Sequence, residues 1–257
     1  MRNFWLSFYF LLVFPPAFSQ FTPGQSYFSP DGHIEYIAGN MPLVLSAPHG
    51  GYLEPDSIPD RDCSGCSYVR DSYTQELSRE LYEVIHAETG CYPHLVINRL
   101  HRKKLDANRD IGDAADGDPI GEIAWRAYQE FVDSAKASVN RQYQKGLFID
   151  LHGHAHMIQR VELGYLLTAT NLRQTDAQLN APAMIAKSSI QSLYSNSPGN
   201  CTHAQFIRGA KSFGSKLFGA GFPTVPSAND TAPQVGESYF SGGFNTRRNG
   251  SSQGGAI

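Results

Sequence analysis

Short apolar runs alternate with longer stretches of helical periodicity along this chain, and that alternation restricts the fold more than any other feature. Residues 42–47, 93–98 and 146–151 read as short buried strands, and residues 162–168 as a fourth. Between them, residues 71–88 place Leu77, Leu81, Val84 and Ile85 on one helical face. Residues 120–143 predict a second, longer helix and residues 181–194 a third. Strands separated by helices imply an α/β fold with a mainly parallel sheet covered on both faces, and such sheets gather ligands at the strands' carboxyl ends. No internal repeat or low-complexity linker interrupts residues 20–257, which read as a single domain.

Composition narrows the partners. The 257 residues are 41% hydrophobic and 18% charged, with 21 basic against 24 acidic side chains and a net charge of -3. That balance excludes disorder, collagen and coiled coil, and argues against nucleic acid or anionic membrane as the main partner. Arg2, the apolar run 4–14 and Ala17-Phe18-Ser19 read together as a signal peptide spanning residues 1–19. Pro15-Pro16 stops that run short of the roughly 20 apolar residues a membrane span needs. The expectation is a secreted protein with no membrane span after leader removal. Sequons at Asn200, Asn229 and Asn249 fit that route, and four cysteines (Cys63, Cys66, Cys91, Cys201) predict two disulfides of open connectivity. Cys63-Ser64-Gly65-Cys66 has neither the second close pair of a zinc knuckle nor the strand-to-helix setting of a redox pair.

The chemistry-bearing residues fall at strand ends. Asp150-Leu151-His152-Gly153-His154-Ala155-His156 follows one apolar run, and His49, succeeded by Gly50-Gly51, follows another. Neutral imidazole is a favoured zinc ligand, and two strand ends can offer imidazoles to one cleft, so His49 and His152 are candidate ligands. A catalytic zinc commonly takes three protein ligands, so a carboxylate is expected as the third. Asp71, at the start of the first helix, is preferred over Glu54, although Asp71 would also serve as an ordinary helix cap. Residues 99–110 carry Arg102, Asp106, Asn108 and Arg109, whose guanidinium and amide groups suit a substrate carboxylate. An ordinary solvated basic turn is the competing reading of that run.

Pro48-His49-Gly50-Gly51, Asp71-Ser72-Tyr73-Thr74, Arg102 with Asp106-Ala107-Asn108-Arg109, Asp150-Leu151-His152 and Tyr239-Phe240-Ser241-Gly242-Gly243 occur in an order that resembles the N-formylglutamate amidohydrolase family. That family is similar in fold to the zinc carboxypeptidases, and the resemblance spans roughly residues 40–257. It implies a three-layer α/β/α architecture with a mainly parallel mixed sheet, of the phosphorylase/hydrolase-like kind. It also implies His49, Asp71 and His152 as zinc ligands, Asn108 and Arg109 as the carboxylate-binding pair, and Arg102 as an anion or oxyanion contact. Two departures stand out. Carboxypeptidases space their ligands H-x-x-E, whereas residue 52 is Tyr. The family's general-base Glu lies on a strand after the segment resembling Gly242-Gly243-Phe244-Asn245, and the sequence as given ends at Ile257, where that strand would begin, as in a chain truncated at its C-terminus. Glu237 is the nearest substitute base.

The functional expectation is a secreted zinc hydrolase acting on an amide beside a carboxylate, in an N-acyl amino acid or a peptide with a free C-terminus. The alternative is a secreted binding protein that keeps the metal cleft and anion clamp without the base.

Overall fold

The computed structural model describes residues 21–197, 199 and 201–250; the expected leader, Asn200 and residues 251–257 lie outside them. The fold is mixed α/β. Strands β1 (Ser26–Phe28), β2 (Ile34–Ile37), β3 (Leu43–Ala47), β4 (His94–Asn98) and β5 (Leu147–Asp150) form one sheet in the order β1-β2-β4-β3-β5. Three of the predicted strands are therefore present, and β3 pairs in parallel with both β4 and β5. The β1-β2 hairpin is an addition the apolar pattern did not reveal, and both of its pairings are antiparallel. Its turn carries Pro30-Asp31-Gly32, a sequence suited to reversing the chain, with Gly32 at φ 72°.

Helix α1 (Thr74–Thr89) and helix α3 (Pro119–Tyr143), with the short α2 (Ile111–Ala115) before the latter, cover the sheet. Strand residues alternate between two apolar clusters, as period-2 geometry requires. Leu45, Leu95 and Ile97 pack with Tyr82 of α1, while Val44 and Val96 pack with Ala124, Tyr128 and Val132 of α3. Each fully buried Leu or Ile contributes roughly 1.5–3 kcal/mol, which is what fixes the register of the central strands. Asp118 caps α3 by accepting from Gly121 N–H, with Pro119 at the first helical position.

Two of the predicted elements are corrected. Residues 162–168 supply only the start of a strand: β6 (Val161–Glu162) pairs with β7 (Thr224–Val225), after which the chain leaves the sheet. Leu166 takes φ 61° and donates its N–H to Ser241 O at 2.6 Å, so this stretch turns to meet residues 241–242. Residues 181–194 form two short helices, Pro182–Lys187 and Gln191–Ser195. The break falls where Ser188 Oγ accepts Ile190 N–H, a local bond that competes with the helical ladder.

The four cysteines form one disulfide rather than two. Cys63 and Cys66 are joined across the turn at Gly65, while Cys91 and Cys201 are free thiols. The sequons differ as well. Asn229 is exposed, whereas Asn249 is buried with its amide donating to Asn245 O, so that third sequon is not presented on the folded surface. Among the described residues, no helix is long and apolar enough to cross a membrane.

Candidate metal centre

Because β3 and β5 are parallel neighbours with Ser46 opposite Asp150, the loops leaving them emerge side by side. His49 and His152 follow those two strand ends and meet. Gly50 and Gly51 allow the close packing behind His49, since a Cβ on either would fall within 2.5 Å of Gln75 N or of the Arg99 backbone. Asp71 comes in from the segment before α1. Its backbone N–H donates to His49 O at 3.0 Å, and Tyr73, at φ 64°, turns the chain into the helix. A bulky residue in that region is strained, and such strain is retained where surrounding structure demands it.

The three potential ligand atoms form a small triangle. His152 Nδ1 lies 3.2 Å from His49 Nδ1 and 3.1 Å from Asp71 Oδ2, and His49 Nδ1 lies 3.4 Å from Asp71 Oδ2. A tetrahedral zinc with bonds of about 2.0–2.1 Å places its ligands about 3.3–3.4 Å apart, so the triangle has the size of one tetrahedral face. Both imidazoles have their other nitrogen on a carboxylate. His49 Nε2 donates to Asp106 Oδ1 at 2.6 Å, and His152 Nε2 lies 2.7 Å from Asp150 Oδ2. Carboxylates in that position fix ring orientation and tautomer in metal sites. Ser46 Oγ and Asn245 Nδ2 in turn donate to Asp150 Oδ1. His49 and Asp71 are buried, whereas the His152 side chain is 31% exposed, so the triangle is open on one side.

Asp71 is not the helix cap. Its Oδ2 accepts Gly153 N–H at 3.0 Å and its Oδ1 accepts Arg102 Nη1 at 3.3 Å, while α1 has no side-chain cap. Glu54, the alternative acidic ligand, instead pairs with Lys103 at 2.8 Å. Burial alone would raise the Asp71 carboxyl, but hydrogen bonds from His152 and His49 outweigh it and hold the group well below the usual carboxylate range. Burial likewise opposes charge on His152, yet Asp150 and Asp71 push its imidazole up to about 10. The donor set thus attracts positive charge strongly enough to hold a proton where a cation would sit, which is the chemistry a metal site needs.

The basic run 99–110 is mostly internal wiring. Arg102 Nε donates to Asp106 Oδ2 at 3.1 Å, so Arg102 braces Asp71, the candidate acidic ligand, and the partner of His49 together. Lys103 and Lys104 both pair with Asp60. Arg61, which sequence reasoning did not single out, is buried with guanidinium contacts to Arg102 O, Ser67 O and Cys66 Sγ, and lies 4.0 Å from Asp106. Asn108 Nδ2 reaches His152 Nε2 at 3.3 Å, and its Oδ1 accepts Asn245 N–H at 2.7 Å. Arg109 is half exposed, 3.8 Å from Asp106. Glu237 is elsewhere engaged. Its Oε2 accepts Arg160 Nη2 at 2.8 Å and Gln234 N–H at 2.9 Å, and it has no hydrogen bond or ion pair with His49, Asp71 or His152. Those two donors lower its carboxyl pKa, which makes it a weaker base than an ordinary glutamate.

No family model, curated protein or solved structure matches this chain.

Proposed function

We propose that the chain is a secreted zinc-dependent amidohydrolase that cleaves an amide next to a carboxylate-bearing group, an N-acyl amino acid or a peptide C-terminus. We place it on a three-layer α/β/α fold similar to that of the zinc carboxypeptidases, in keeping with the ordered motifs it shares with N-formylglutamate amidohydrolases. The observation that carries this reading is the triangle of His49, Asp71 and His152, with edges of 3.1–3.4 Å and a carboxylate behind each imidazole. Zinc held there would supply Lewis acidity and lower the pKa of a coordinated water from about 15.7 toward 7.

The chain's own residues divide the remaining work. Asp106 and Asp150 orient the two imidazoles, and Arg102 is a positioning residue that keeps Asp71 and Asp106 in register. Asn108 faces His152 with its amide set by Asn245, and the half-exposed Arg109 beside it offers a guanidinium to the substrate carboxylate. An anion anchored there brings the adjoining amide up to the metal ligands. The test is to purify the protein, measure bound zinc, and assay N-acyl amino acids with and without chelator. Zinc at one per chain and chelator-sensitive release of the acyl group are expected; a chain without zinc would end this reading.

The binding-protein reading draws on one specific observation, the commitment of Glu237 to Arg160. It expects zinc and a carboxylate ligand to bind while no acyl group is released.

A further inference from the structure

His154, His156 and Glu162 form a second group of potential ligands with atoms within 4.8 Å of one another. Its wiring is unlike that of the first. His154 Nε2 donates to Arg160 O at 2.8 Å, and its Nδ1 accepts His156 N–H at 3.2 Å, so the lone pair a metal would use is already spent on the backbone. This imidazole staples the loop instead. Glu162, projecting from β6, is almost wholly buried and uses both oxygens: Oε1 lies 2.9 Å from His156 Nδ1 and Oε2 accepts Phe240 N–H at 2.8 Å. The Phe240 ring stacks on His156 with centroids 4.5 Å apart. One carboxylate therefore fixes both an imidazole and the segment whose aromatic ring lies against it.

That arrangement leaves His156 Nε2 without a partner among the described residues, and His156 is one of the residues lining a cavity of about 180 Å³. Met157 and Ile158 form one wall, and Gly236, Glu237 and Ser238 the other. The walls are held together by Arg160, which pairs with both Glu237 and Asp230, so the charge of Glu237 is neutralised. Two apolar side chains of the lining are exposed, Met157 at 96% and Ile158 at 40%. A cavity of about 150 Å³ accepts benzene, so this one suits a single phenyl- or leucyl-sized group, and an unbranched Met side chain can close over it. In the tautomer that gives Nδ1–H to Glu162, the imidazole keeps an acceptor at Nε2, matched to an amide N–H. His156 is four residues from His152, no more than about 14 Å along even an extended chain.

We propose that this cavity is a recognition subsite for one apolar, phenyl- or leucyl-sized group of the ligand, with His156 accepting a hydrogen bond from the amide beside that group. The identity of the ligand as an amide rests on the amidohydrolase reading above; the apolar preference does not. The experiment measures dissociation constants of N-acetylphenylalanine and N-acetylglycine by NMR titration, following the His156 ring resonances, in zinc-loaded and in chelated protein. About a tenfold preference for the phenylalanine derivative is expected in both states. Ile158→Asp, at a partly exposed position, should erase the preference and leave zinc content unchanged. Glu162→Gln should alter the His156 tautomer, seen in its ring nitrogen shifts, and weaken binding of the phenylalanine derivative. Equal affinities, no binding of either probe, or a preference surviving Ile158→Asp would overturn the subsite. Failure of the amidohydrolase reading would show separately, as absence of zinc or of acyl release, while the preference in chelated protein still tests the cavity.

Discussion

Two groups of histidine and carboxylate, His49-Asp71-His152 and His154-His156-Glu162, approach each other in sequence at residues 152–156, and their hydrogen bonding is opposite in kind. In the first, His49 and His152 turn one nitrogen of each ring to a carboxylate and the other inward, so three potential ligand atoms, with Asp71 Oδ2, converge at tetrahedral spacing. In the second, His154 gives both nitrogens to the backbone and His156 gives one to Glu162, so a single nitrogen is left without a partner among the described residues. Ligand-type residues in proximity do not make a metal site. What decides is whether the remaining nitrogen of each ring is free and aimed at a common point.

The largest effect should separate the two groups outright. His152→Ala is expected to abolish stoichiometric zinc binding, measured by equilibrium dialysis, whereas His156→Ala should leave it in place. Equal loss in both variants would erase the distinction.

A second expectation concerns acid stability and lies in neither group. His94 is buried with Nδ1 accepting from Tyr36 Oη and Gly39 N–H, and burial lowers its imidazole to about 4. The unfolded imidazole titrates near 6.5, so between those values the unfolded state binds the extra proton and stability falls as pH drops. About 3 kcal/mol is expected to be lost between pH 6.5 and 4 in urea unfolding. On the alkaline side the sign reverses for metal-free protein. His152 is raised, so its contribution is complete below about 6.5 and is lost as pH climbs toward 10. A metal-free protein whose stability is flat on both limbs would contradict these assignments.

Smaller still is the loss expected from the supporting carboxylates. Asp106→Asn and Asp150→Asn should each weaken zinc about 10–100-fold without removing a ligand, read by competition with a chromophoric chelator. The least change is predicted for Glu162→Gln, whose zinc affinity should stay within a factor of about two of the unsubstituted protein. A drop matching that of Asp150→Asn would show the two groups to be one coupled centre.

The central strands and two long helices were legible because apolar periodicity is a local property written residue by residue. The β1-β2 hairpin was missed although Pro30-Asp31-Gly32 marks its turn, because its strands are short and carry little alternation. Asp150 was legible in principle, since residues two apart on a strand share a face with the following His152. Arg61 left no signal at all; only the folding of residues 60–70 against the 99–110 loop buries it beneath Asp106.

Sequence alone determined which residues bear chemistry and which strand ends they follow. Tertiary structure decided the rest: that Asp71, already preferred over Glu54, meets both imidazoles while Glu54 pairs with Lys103, the use of Arg102 as a brace, the engagement of Glu237 by Arg160, and the single disulfide. The physical reason is that a residue's type fixes what it can bond, but its partners are set by which distant segments the sheet order and loop packing bring within about 3 Å.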